Sequence, residues 1–201
     1  MSIITGTSLN DVLNGTLDND VINALNGDDI ICPSANNDTI NGGDGQDTVD
    51  SSLSGGVTVL PTGTVQKSSD TDQLIRIEKI LGSATAIDTI DTSGTNVQLI
   101  TDLSVEQVNI SNISVFSSLN SQVVNFDNVI GIGGHENDCL TGNAGVNTLN
   151  NGWGDDNLNG NDILIGGFSK DILTGGAGAD LTFDGKLSNN QTTWLFPQTD
   201  S

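Results

Sequence analysis

Five aspartates near the start of the chain keep a fixed interval: Asp11, Asp20, Asp29, Asp38 and Asp47 fall nine residues apart without a slip. After a long gap the frame returns with Asp138, Asn147 and Asp156. A shortened unit then carries Asp162, and two further units carry Asp171 and Asp180. Ten of these eleven positions are Asp, whereas the residue just before is permissive: Asn10, Asn19, Asp28, Asn37, Gln46, Val146, Lys170, Ala179. Asp and Asn serve turns almost interchangeably, so turn chemistry alone would accept the amide. A hard cation wants the carboxylate. The pattern therefore points to cation binding, with Asp11, Asp20, Asp29, Asp38, Asp47, Asp138, Asp156, Asp171 and Asp180 as the candidate ligands.

The elements that must position these acids follow from the next two residues. Two places after each key position stands an aliphatic residue: Leu13, Ile22, Ile31, Ile40 and Val49, then Leu140, Leu149, Leu158, Leu164 and Leu173. In the last unit Thr182 takes that place, which predicts a disturbed register there. Six turn residues followed by a three-residue strand, its middle side chain inward, account for each nonapeptide. Two such units make one coil, so loops 18 residues apart stack on the same edge. Strand spacing would set successive acids roughly 5 Å apart, where two bare carboxylates repel by roughly 3–4 kcal/mol at an effective dielectric near 20. Stacked acids on this scale call for a counter-cation. Calcium suits them, because it accepts six to eight carboxylate and carbonyl oxygens in adaptable geometry.

Composition agrees. The chain has 201 residues, a net charge of −21, five basic residues, 25 Gly and seven aromatics, none of them Tyr. Of its 26 acids only Glu78, Glu106 and Glu136 are Glu, and Asp favours turns where Glu favours helices. Such charge excludes nucleic acid and anionic lipid as partners, and no stretch approaches the roughly 20 apolar residues of a membrane helix. Cys32 and Cys139 lack a CxxC or Cys/His neighbourhood, so they read as two free thiols that strand alternation turns away from the core. The N-terminus carries no basic residue or long apolar run, hence no secretory signal.

The units GGDGQDTVD (42–50), NGWGDDNLN (151–159), GGFSKDILT (166–174) and GGAGADLTF (175–183) resemble GGxGxDxUx, the nonapeptide of the RTX, hemolysin-type calcium-binding family. The resemblance implies an all-β fold, a parallel β-roll or β-solenoid of nonapeptide repeats with a β-rich middle insertion, binding several calcium ions between loops of one edge. One edge would hold Asp11, Asp29 and Asp47, the other Asp20 and Asp38. In the second block Asp138, Asp156 and Asp171 would share an edge opposite Asn147, Asp162 and Asp180. The expected organisation is an N-terminal repeat block over 1–50, a β-rich spacer over 51–132 continuing the solenoid or forming a separate sandwich, a second block over 133–183, and a tail or cap over 184–201. Segments 75–90 and 124–140 look related, as re-entry points into the array, and only 104–109 could pass for a helical turn.

The family also implies export through a type I secretion apparatus to the cell surface or medium, without an N-terminal signal. No enzyme is expected: the one histidine, His135, lies in a repeat loop, and neither HExxH nor GxSxG occurs. The leading reading is a calcium-dependent structural or folding module of an exported bacterial protein. Its alternatives are a calcium-scaffolded adhesion surface binding polysaccharide, for which Trp153 and Phe168 are the candidate aromatics, and a detached module of a secreted enzyme or toxin.

Overall fold

The computed structural model describes residues 1–93, 95, 98–110, 121–131, 135–160, 162–176 and 180–184. The terminal cap or tail expected beyond Asp184 lies outside them. Two compact units appear, one of residues 1–89 and 112–126, the other of 90–111 and 127–201.

In the first unit β1 (Ser2–Thr5) precedes the frame, which produces a short strand at every step: β2 (Val12–Asn14), β3 (Asp20–Asn26), β4 (Ile30–Cys32), β5 (Thr39–Asp44) and β6 (Thr48–Asp50); β7 (Thr58–Val59), β8 (Thr64–Gln66), β9 (Thr71–Ile75) and β10 (Lys79–Leu81) follow it. Successive nonapeptides alternate between two walls, one ordered β1-β3-β5-β9-β8-β7 and the other starting β2-β4-β6-β10. Pairing is parallel and offset by two units, Leu13 against Ile31 and Ile22 against Ile40. Inward aliphatics of both walls, Ile22, Ile31, Ile40 and Val49, are fully buried. In this unit β8 runs against its neighbours, pairing antiparallel with β7 and β9, and that excursion lengthens the chain between one coil and the next.

The second unit holds β11 (Thr89–Asp91), β12 (Leu99–Asp102) and β13 (Gln107–Ile110). The strand Ser121–Val124, β14, belongs to the first unit and pairs with β10. The second unit resumes with β15 (Asn128–Ile130), β16 (Cys139–Thr141), β17 (Asn147–Asn150), β18 (Asn157–Gly160), β19 (Asp162–Gly167), β20 (Ile172–Gly175) and β21 (Leu181–Asp184). Its walls run β11-β15-β17-β19-β21 and β13-β12-β16-β18-β20. Leu140, Leu149, Leu158 and Leu164 form its fully buried row. The loss of three residues before Asp162 shortens the repeat without breaking its frame, because Leu149 still faces Leu164 and Leu158 still faces Leu173.

The disturbed register of the last strand pair does appear, but past the threonine: Thr182 pairs in frame with Leu164, and the pairing shifts between Ile165 and Gly167. One expectation needs correction. The helical turn near 104–109 is smaller and earlier, a 3₁₀ turn over Leu103–Val105 capped by the Asp102 carboxylate on the Ser104 N–H, and Gln107 already begins a strand. Segments 75–90 and 124–140 do share a local device: Arg76 and Asn125, at matching places, are both left-handed, at φ 56° and 62°. Each sends the following residue inward, Ile77 in one and Phe126 in the other, both buried.

Both cysteines are free and half-buried, each beside a fully buried neighbour, Ile31 or Leu140. Burial, with Asp50 adding to it, raises the Cys32 thiol above its ordinary range. Native protein should therefore be alkylated at both positions, with Cys32 slow at neutral pH and faster as the pH rises. Mass spectrometry after brief alkylation checks this, and a Cys32–Cys139 disulfide would contradict the register.

Candidate metal centres

Because side chains alternate along a strand, an inward aliphatic puts the residue two places earlier on the same face. The key aspartates therefore turn inward too. Asp20, Asp29, Asp38, Asp47, Asp138, Asp156 and Asp180 are all buried, while Asp11 and Asp171, in outer coils, are half-exposed. Each acid closes a ladder along its edge. The Asp11 N–H donates to Asp29 Oδ1 (2.8 Å), the Asp29 N–H to Asp47 Oδ1 (3.0 Å), and the Asp47 N–H to Glu78 Oε2 (2.9 Å). On the opposite edge the Asp20 N–H donates to Asp38 Oδ1 (2.8 Å) and the Asp38 N–H to Asp72 Oδ1 (3.1 Å). In the second unit Leu99, Asp138 and Asp156 donate in turn to Asp138, Asp156 and Asp171, at 2.8, 2.9 and 3.0 Å. Three of the four expected edges are thus joined by ladders; on the fourth, Asn147 pairs with Asp162 along the strands, and of Asp162 only the strand position is described.

Three acids missed by the nine-residue frame join in. Glu78 and Asp72 extend the two edges of the first unit, and Asp88 Oδ1 accepts the Val57 N–H at 2.7 Å. Each is followed two places on by a buried aliphatic: Ile80, Leu74 and Ile90. That acid-x-aliphatic step was the signal available in the sequence. The permissive position before the key acid also has a role. The Asp28 N–H donates to Asn10 Oδ1, the Gln46 N–H to Asp28 Oδ1 and the Asp155 N–H to Asn137 Oδ1, at 2.9–3.0 Å. This outer ladder needs only a side-chain oxygen, so Asp and Asn serve alike.

The second carboxylate oxygen distinguishes the loops. In GTSLND and GTLDND it is satisfied from within: Asp11 Oδ2 accepts the Thr7 N–H (2.5 Å) and hydroxyl (2.9 Å), and Asp20 Oδ2 accepts the Thr16 N–H (2.6 Å). Asp88 Oδ2 is met likewise by the Ser83 N–H at 2.6 Å. By contrast Oδ2 of Asp29, Asp38, Asp47, Asp72, Asp156 and Asp171 is buried without a hydrogen-bond partner. An unpartnered buried carboxylate oxygen is costly. A bound cation would relieve that cost.

The seams between loops are lined by further oxygens. A Cβ at Gly43 would strike Leu25 O, one at Gly45 would strike Gly27 O, one at Gly154 Glu136 O, and one at Gly167 Gly152 O. All four glycines have positive φ, between 104° and 148°, which other residues adopt only under strain. Glycine here keeps the seam open and the carbonyls exposed to it. Among the described residues no three His, Cys, Asp or Glu side chains gather into a metal cluster. A cation at these seams therefore draws much of its shell from backbone carbonyls, the habit of calcium. The residues fit such an ion at Asp29/Asp47 and Asp156/Asp171. At Asn147 the amide does the work instead, its Nδ2 donating to Asp127 O (2.9 Å) and Asn143 Oδ1 (3.1 Å).

Charge tells the same story. Burial, then repulsion from neighbouring acids, pushes Asp47 up to about 6 and Asp156 up to about 7. Burial likewise brings Asp38 to about 6 and raises Asp138 and Asp171. Asp20 moves the other way, lowered chiefly by the Thr16 N–H.

Comparison with protein families finds the RTX calcium-binding nonapeptide repeat in four stretches, residues 5–39, 34–53, 130–158 and 158–182, just over half of the chain. The chain belongs to the RTX calcium-binding repeat family. The fold is accordingly an all-β roll of RTX repeats, and the repeats of this family bind calcium. No curated protein matches the chain.

Proposed function

We propose that this chain is a calcium-dependent folding module of an exported protein, its ions held at the loop seams by Asp29, Asp47, Asp138, Asp156 and Asp171, with Asp180 as a further ligand. Asp11 and Asp20 act in this reading as self-satisfied acids that start the roll. The observation that carries it is the buried second oxygen of Asp29, Asp47, Asp156 and Asp171, each without a hydrogen-bond partner and beside a glycine-kept carbonyl seam or a stacked acid. In this reading the spacer strands continue the roll within each unit. Calcium at the ~mM level outside cells saturates modules of this kind, so export, through a type I apparatus as the family implies, would trigger folding.

The adhesion reading draws less support. Trp153 stacks on Phe168 with ring centroids 4.2 Å apart and planes 11° from parallel, and His135 packs against Trp153 at 5.1 Å. These rings sit at the same place in successive loops and spend their faces on one another, which suits holding loops in register better than stacking on a sugar. Calorimetric titration tests the proposal: several calcium ions bind with midpoints of roughly 0.1–1 mM, and magnesium, which demands smaller octahedral geometry, competes poorly. Equal heats for both metals, or none for calcium, would refute it.

A further inference from the structure

One position on the second edge of the first unit already contains a cation. The Lys67 side chain is only 3% exposed. Its ammonium donates to Ser34 O (2.9 Å), Asn36 O (2.9 Å) and Asp72 Oδ1 (2.8 Å), with Asp70 Oδ1 at 3.8 Å. A turn in which the Lys67 N–H donates to Asp70 O at 2.8 Å fixes the base of the side chain. The second Asp70 oxygen accepts the Asn36 N–H at 2.7 Å, clamping the two loops together.

The cage has the composition expected of a calcium seam. Ser34 and Asn36 stand four and two places before Asp38, as Gly43 and Gly45 stand before Asp47. Asn36 is left-handed at φ 73°, like Gly45 at 148° and Gly27 at 120°. Asp72 is the next acid of the column after Asp38, their ladder bond being 3.1 Å. Yet this loop, PSANND, has no glycine at all. A tethered ammonium reaching in on its own stem does not require the open seam that a free ion needs.

We propose that Lys67 is a built-in replacement for a calcium ion, occupying the seam between loops 33–38 and 67–72 and making that coil independent of metal. The first unit then has a closed, metal-free step on one edge, while its other edge, along Asp29 and Asp47, answers to calcium. For the identity of the ion replaced, the inference rests on the calcium reading above.

The test is calcium stoichiometry of the full chain by equilibrium dialysis, comparing wild type with Lys67→Ala and with the exposed control Lys170→Ala. Lys67→Ala should fold in calcium and bind one ion more than wild type per chain, and Lys170→Ala the same number as wild type. An unchanged count in Lys67→Ala, or failure of that variant to fold in saturating calcium, overturns the proposal and leaves Lys67 an ordinary buried ion pair. Absence of calcium binding by wild type would instead remove the underlying calcium reading. A second measurement needs no variant: in calcium-loaded wild type an amine-acylating reagent should spare Lys67 while modifying Lys170. Equal reaction at both would show that the cage does not form, and would overturn the proposal as well.

Discussion

Stripped of divalent cations at pH 8, the chain should give a largely disordered far-ultraviolet circular dichroism spectrum, and calcium between roughly 0.1 and 1 mM should restore β signal. The cause is the set of inward acids. In the metal-free fold Asp38 and Asp47 sit at about 6 and Asp156 at about 7, against roughly 3.9 for an unfolded Asp. Burial is the leading cause in each; the ladder N–H offsets part of it, and repulsion from stacked neighbours adds to it. The folded state thus holds these protons more tightly than the unfolded chain does. Their contribution to stability is present below about pH 4, declines as the pH rises, and is gone above about pH 7. Asp20, lowered by Thr16, has the opposite sign. Acidifying the chelator-treated protein to about pH 5 should therefore recover part of the β signal without calcium. Spectra that are the same in chelator at pH 5 and pH 8, and unchanged by calcium, would show that the acids do not govern folding.

Exchanging one buried acid for its amide should have two effects of opposite sign. In Asp156→Asn the amide oxygen can still accept the Asp138 N–H, a bond now 2.9 Å long. The unpartnered Oδ2 becomes a neutral donor, as in the natural Asn147, whose amide nitrogen reaches Asp127 O at 2.9 Å. Removing a buried, unpartnered charge should stabilise the metal-free form by about 1–3 kcal/mol. The same exchange should weaken calcium at the adjoining seams by about tenfold or more, near 1.4 kcal/mol. Asp47→Asn should behave alike, while Asp18→Asn, on an exposed acid paired with the N-terminal amine, should change neither quantity. The β signal retained in chelator at pH 8 and calcium titrations of the three variants decide the matter. If all three shifted together and slightly, the acids would be turn formers and nothing more.

The periodic part of this molecule was legible because its physics is periodic. A nine-residue unit with one inward aliphatic specifies the strand, and two units per coil specify which acids share an edge. Asp11, Asp29 and Asp47 accordingly lie in one ladder, and Asp138, Asp156 and Asp171 in another. Ten aspartates where a turn would tolerate asparagine also declared the chemistry. The shortened unit before Asp162 keeps its frame, and the threonine at 182 still pairs in step with Leu164. Cross-strand pairing with the neighbouring coil holds each strand in place even where its own sequence is irregular.

What the sequence alone could determine was therefore the repeat, its handedness of inward and outward positions, and the type of ion it suits. What only the tertiary structure decided was which acids keep a second oxygen without a hydrogen-bond partner. Threonine or serine placed one residue after the opening glycine satisfies Asp11, Asp20 and Asp88 locally, and that difference appears only once the second oxygen can be followed. Glu78 and Asp72 stand 31 and 34 residues from the acids they follow, across an antiparallel excursion that no repeat period encodes. Lys67 lies farther still from any motif. A lysine in a serine-rich turn reads as solvated surface until folding sets it beneath the carbonyls of Ser34 and Asn36, 33 and 31 residues away. Local patterning fixes which way a side chain points, but the cost of an unpaired buried oxygen depends on what the next coil brings to it, and that neighbour is chosen by the closure of the roll.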